Sequence, residues 1–93
     1  MRFDCEMALT RADFLRLLPV AVGHAPFRVE GDAIVAEGLP PPWRIALAAL
    51  PDRAFGPVGI PVLAVRLEVE AASPAAGQAF LSRFLLGFQR AGG

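Results

Sequence analysis

The sequence predicts an α+β domain in the order α-β-β-β-β-α, a four-stranded antiparallel meander between two helices, with both helices on one face of the sheet. Three observations predict it. Two segments carry a helical apolar period behind a capping residue, Thr10 and Ser73. Four segments between them pass from one to the next through turn residues, and the last is a clean period-2 run. The alternation leaves one apolar sheet face, and the two helices supply its cover.

The elements follow in order. Residues 1–8 read as a flexible tail ahead of a single domain over 9–90. Thr10-Arg11-Ala12-Asp13 fits a capping box, with Leu9 and Phe14 as its hydrophobic staple. Phe14, Leu17 and Leu18 share a side, and Pro19 is expected to end the helix, which places it over residues 11–18. Phe27 to Glu30 and Ala33 to Glu37 flank Gly31-Asp32, a two-residue turn with Gly in the first position, as a type II′ hairpin requires. That turn sets Phe27 opposite Ala36 and Val29 opposite Ile34, all four on the inner face.

Gly38 to Pro42 breaks the chain. Trp43, Ile45 and Leu47 then point inward along a strand that reaches Leu50. Pro51 to Pro61 is expected to be a long apolar loop. Leu63, Val65, Leu67 and Val69 alternate with Ala64, Arg66, Glu68 and Glu70 in the last strand. Ser73-Pro74 opens a helix with a Phe80, Phe84, Phe88 stripe flanked by Leu81 and Leu85, and residues 91–93 are a Gly-rich tail.

Composition narrows the function classes. Of 93 residues, 55% are hydrophobic and 30 are Leu, Ile, Val or Phe, which excludes a disordered chain. Nine Arg balance nine Asp and Glu, so no bulk field draws the chain to nucleic acid or to an anionic membrane. No segment approaches the roughly 20 apolar residues of a spanning helix, and no signal peptide precedes the domain, so a cytoplasmic setting is expected. One Cys and one His exclude a disulfide framework or a Cys/His zinc cage within one chain. The absence of Lys, Tyr and Asn removes a Schiff-base amine, a phenolic acid and an amide oxyanion donor.

Among candidate sites, His24 has no nucleophile or orienting partner nearby in sequence and reads as a loop or helix-end residue. Cys5, between Asp4 and Glu6, is expected to have a raised pKa and low reactivity. Glu68 and Glu70 share a strand face about 6.6–6.8 Å apart, a spacing open to glycoside chemistry, although Arg66 and Arg44 beside them favour a solvated face. No residue is assigned a catalytic role, and no metal or cofactor is expected.

The outer sheet face is a better candidate. Val35, Ala46, Ala48 and Ala64 form a small apolar centre, with Arg44 and Arg66 in a mixed-charge rim that can fix the orientation of a partner. An Ala-rich coding bias is the plainer explanation of the same residues. Phe55, Val58 and Ile60 in the 51–61 loop either fold back on the core or meet a partner. Trp43, Phe80, Phe84 and Phe88 are core residues that could alternatively line a pocket for a small apolar ligand between sheet and helices.

The terminal Gly92-Gly93 resembles the tail of ubiquitin-like sulfur carriers. The likeness covers those two residues. It implies adenylation of an exposed terminal carboxylate by an activating enzyme. In that family the tail follows a strand of a β-grasp fold, whereas here a Phe-rich helix runs into it, and a helix end-cap is the alternative reading.

The functional expectation is a small soluble binding or assembly module without chemistry of its own. It self-associates, most simply as a homodimer, or binds a small protein partner, through the outer sheet face or the 51–61 loop. With so apolar a composition, a chain this short leaves apolar surface outside.

Overall fold

A computed structural model describes the backbone of residues 1–92 and the side chains of residues 1–89. The elements run β1 (Arg2–Met7), α1 (Arg11–Ala21), β2 (Phe27–Glu30), β3 (Ala33–Ala36), β4 (Trp43–Phe55), β5 (Val58–Val69) and α2 (Pro74–Gly92). Every strand pairing is antiparallel, in the order β1-β5-β4-β3-β2. The α+β class with an antiparallel sheet holds. Among the described residues the sheet has five strands rather than four, and the order of elements changes accordingly.

The fifth strand is the segment expected to be a tail. Arg2, Asp4 and Glu6 alternate with Phe3, Cys5 and Met7, and the segment pairs with β5 from Arg2↔Glu68 to Met7↔Leu63. The Met1 amino group donates to the Val69 carbonyl at 2.8 Å, and the Val69 N–H donates back to the Met1 carbonyl at 2.8 Å. The tail reading fails because the edge of β5 offers a full row of unpaired backbone groups to any segment with the right alternation.

Helix α1 begins as expected, with Thr10 Oγ1 accepting from the Asp13 N–H at 3.1 Å. It does not stop at Pro19 but continues to Ala21. The N–H of His24 donates to the Pro19 carbonyl at 2.7 Å and that of Gly23 to the Val20 carbonyl at 3.1 Å, with Gly23 at φ +64°. This is a Schellman closure, and it sets the real end of the helix. The bond lost at Pro19 is outweighed by what lies beyond it, because Ala21 and Val22 are both buried.

The 51–61 segment is not a loop. Strands β4 and β5 stay paired out to Phe55↔Val58, across a Gly56-Pro57 turn with Gly56 at φ +59°. Gly supplies the left-handed first position and Pro the fixed φ of the second, so a pair of residues that looks like a break is a two-residue hairpin turn. A register shift between Leu50 and Arg53 absorbs Pro51 and Asp52. The far end of this hairpin has neither β1 nor β3 beside it, and the molecule measures 46 × 26 × 20 Å. We call the segment from Pro51 to Pro61 the arm.

The β2–β3 register is the expected one, with Phe27↔Ala36 and Val29↔Ile34. Val29 nevertheless remains exposed, in the outermost strand of the sheet. Helix α2 opens with Ser73 Oγ accepting from the Ala76 N–H at 3.1 Å and runs to Gly92, so Ala91 and Gly92 are helical rather than a tail. Nothing in Gln89-Arg90-Ala91 breaks a helix. The sulfur-carrier likeness rests on Gly92-Gly93, and Gly93 lies outside the described residues.

Phe14 and Leu18 of α1 and Phe80, Phe84 and Phe88 of α2 pack on Ile34, Trp43, Ile45, Leu47, Val65, Leu67 and Val69 in one core. The helices meet at Gly87, where a Cβ would sit 2.6 Å from the Ala21 Cα. That approach lets Phe14 and Phe88 stack with ring centroids 4.8 Å apart.

Candidate interaction surface

Alternation divides the sheet residues between two faces. The odd-numbered residues of β4 and β5 in the main sheet join the helical core, while the even-numbered ones face away from it. Register aligns the outer residues in rows. One row reads Arg2, Glu68, Arg44, Val35 and Arg28, and the next Asp4, Arg66, Ala46, Ala33 and Glu30. A third row holds Glu6, Ala64 and Ala48. Of the expected interface, Val35, Ala46, Ala48, Ala64, Arg44 and Arg66 therefore share one face.

Phe55, Val58 and Ile60 belong to that same face. β5 alternates without interruption from Val58 to Val69, so Val58, Ile60 and Val62 continue the line of Ala64. On β4 the bulge places two residues opposite Pro61 and returns Arg53 and Phe55 to the outer side, paired with Ile60 and Val58. The ion pair of Arg53 with Glu6, at 3.3 Å, fixes that side, because Glu6 stands in the third outer row. The two surfaces read separately in the sequence are one apolar strip. It runs from Ala46 through Ala48, Ala64 and Leu50 to a tip where Phe55 is 69% and Val58 58% exposed. Leu50 and Arg53 were missed as members, while Val62, in line with Ala64 and Ile60, is itself buried.

Each edge of the arm is interrupted by a proline. Since Val69 exchanges both hydrogen bonds with Met1, the odd residues of β5 direct their backbone groups toward the β1 side. Past the end of β1 the next such residue after Leu63 is Pro61, which has no N–H. On the other edge, the Leu47 N–H donates to the Asp32 carbonyl at 2.8 Å, so the odd residues of β4 face the β3 side. Two residues beyond Leu47 is Ala49, and the next is Pro51. Each free edge thus carries a proline where a pairing strand needs a donor. The arm presents a side-chain face, not a ladder.

The charged rim is mostly satisfied within the chain. Asp4 accepts from Arg66 at 3.0 Å and from Arg2 at 3.0 Å. These bonds, that of Arg66 foremost, hold its carboxyl below the ordinary 3.8. Arg28 lies 3.4 Å from Glu30 and 3.8 Å from Glu37. Arg44 and Glu68, directly paired in register, take part in no ion pair among the described residues. Over this face lies an open concavity of ≈ 500 Å³, bordered by Asp4, Glu6, Ala46, Ala48, Ala64 and Arg66.

The remaining candidates are placed as follows. Trp43, Phe80, Phe84 and Phe88 are all buried, with Trp43 and Phe80 ring centroids 6.4 Å apart and Phe84 and Phe88 5.1 Å apart. Phe80 borders one surface concavity, with Pro40, Pro42 and Arg83, and Trp43 borders another, with Arg44 and Glu68. His24 is exposed and left-handed, φ +61°, as part of the α1 closure. Cys5 is half-buried on the core side of β1, and burial, followed by the Asp4 charge, pushes its thiol upward. Glu68 sits in an outer row, while the Glu70 N–H donates to the Pro42 carbonyl at 2.9 Å just beyond β5. Among the described residues no group of three or more His, Cys, Asp or Glu is placed to hold a metal ion, and no helix is long and apolar enough to cross a membrane.

Comparison with protein-family models, with curated proteins and with solved structures found no match to this chain.

Proposed function

We propose that this protein is a non-catalytic assembly module that self-associates through the outer face of its sheet, the arm included. The observation that carries the reading is the continuous apolar strip from Ala46 to Phe55 and Val58, on the face opposite the helices. Contiguous apolar surface of this kind marks contact sites. A second copy suits it on two further grounds. The formal net charge is zero, so two copies meet without long-range repulsion. The apolar strip also extends from Ala46 to the hairpin tip, so a second copy has an elongated surface to cover. The small side chains at Ala46, Ala48 and Ala64 allow close approach, and the charged rows supply orientation.

The test is native mass by light scattering, in reductant so that Cys5 forms no bridges. The wild type is expected near twice 9.9 kDa. Ala48→Arg, which puts a charge into the strip, is expected to give the monomer mass with an unchanged far-UV circular dichroism spectrum. A wild type that stays near 9.9 kDa at high concentration would sink the reading. So would an Ala48→Arg protein that keeps the dimer mass.

A further inference from the structure

Resting on that reading, we infer the geometry of the pair: two copies pack face to face with their two-fold axis running along the β4–β5 hairpin, so that the arm of each lies on the arm of the other. Two arrangements of isologous sheets compete. An axis along the strands lays like end on like end, whereas an axis across the strands lays each arm on the charged rows of its partner. The face is polar at one end and apolar at the other. Arg2, Glu68, Arg44, Asp4 and Arg66 occupy the first two rows, and Ile60, Val58 and Phe55 the arm. Crossing them would strip water from charged side chains and offer them only apolar partners, a costly arrangement. Like on like avoids it.

The charges then decide where the axis lies. A two-fold between β4 and β5 exchanges these strands and brings each β4 residue over the β5 residue with which it is already in register. Phe55 meets the partner's Val58, and Ala48 meets the partner's Ala64. Arg44 meets the partner's Glu68 and Glu68 the partner's Arg44, twice by symmetry. Arg44 and Glu68 are an opposite-charge pair that the described residues of one chain leave without an ion pair. A proline on each edge of the arm disfavours the competing edge-to-edge pairing of two arms into a continuous sheet.

Two measurements test this. In a Cys5→Ser background, an equimolar mixture of Phe55→Cys and Val58→Cys proteins is expected to oxidise to a mixed covalent dimer at concentrations where Arg16→Cys, exposed on α1, stays monomeric. Arg44→Glu and Glu68→Arg are each expected to weaken the dimer about tenfold or more through like-charge contact across the axis. The double variant, which restores both reciprocal pairs, is expected to recover most of the affinity. If the wild type has the dimer mass yet the mixture of Phe55→Cys and Val58→Cys links no faster than Arg16→Cys, the axis is misplaced while self-association stands. Single charge reversals that leave the affinity unchanged overturn it in the same way. A monomeric wild type removes the inference and the reading beneath it together.

Discussion

The two ends of the β4–β5 hairpin share one ladder and live in different surroundings. At the base, Trp43 to Leu47 and Leu63 to Val69 have β3 and β1 beside them and α1 and α2 on one face, and every second residue is buried. At the tip, Phe55 and Val58 hold the same antiparallel register and remain largely exposed. The backbone pairing is the same at both ends. Only neighbouring elements turn pairing into burial, and an isolated two-stranded ribbon is marginal in water. In the proposed dimer, the apolar face of this ribbon takes its missing layer from the second copy.

The comparison breaks or sharpens at measurable points. The largest effect is expected at the base, where truncating Phe84 opens a cavity between Phe14 and Phe88. Phe84→Ala should cost about 3–5 kcal/mol in urea unfolding. Phe55→Ala at the tip, measured where the chain is monomeric, should stay within about 0.5 kcal/mol. Equal losses at the two sites would mean that the arm is packed within the monomer.

An intermediate effect is expected at the helix crossing. Gly87→Ala places a methyl where the Ala21 backbone already stands, 2.6 Å from its Cα, and the helices must move apart. A loss of about 1–3 kcal/mol is expected, since overpacking cannot relax against backbone. Stability within error of wild type would show that α1 and α2 meet elsewhere.

The smallest effect belongs to the outer face. The carboxyl of Asp4 is held below its ordinary value by Arg66 and Arg2, so its folded pKa lies below the unfolded one. Its contribution is complete above the unfolded value, near 3.8, and is lost as the pH falls through the folded one. The stability difference between wild type and Asp4→Asn should therefore shrink between about pH 6 and pH 2.5. A difference that stays constant or grows on acidification would contradict the bonding of Asp4 to Arg66.

Much of the main sheet was legible in the chain. Trp43, Ile45 and Leu47 and the run from Leu63 to Val69 are period-2 segments with one face apolar, and they are buried as read. The Gly31-Asp32 turn correctly set the β2–β3 register. The caps at Thr10 and Ser73 were readable because a hydroxyl at the first turn has one local partner, a backbone N–H three residues on. The misreadings have different physical causes. Arg2 to Met7 alternates as cleanly as any strand here, and only its position at the front of the chain suggested a tail. Pro19 and Gly56-Pro57 read as breaks, although Pro19 sits within a helix closed by Gly23 and Gly56-Pro57 is itself a turn. The surface residues Ala46, Ala48 and Ala64 followed from alternation, while the return of Phe55 to their face depends on a bulge no local signal announced.

The sequence by itself determined the local matters: the caps at Thr10 and Ser73, the Gly31-Asp32 turn, the inward residues of β3 and of the main-sheet parts of β4 and β5, and the α+β class. Each rests on chemistry within a few residues, where period and hydrogen-bond geometry act directly. The tertiary structure alone decided that β5 takes β1 on its open edge, that α1 outlasts Pro19, and that the hairpin continues past its neighbours. Those outcomes depend on segments up to 68 residues apart, as with Met1 and Val69. There, unsatisfied backbone groups and uncovered apolar faces find their partners only once the chain has folded.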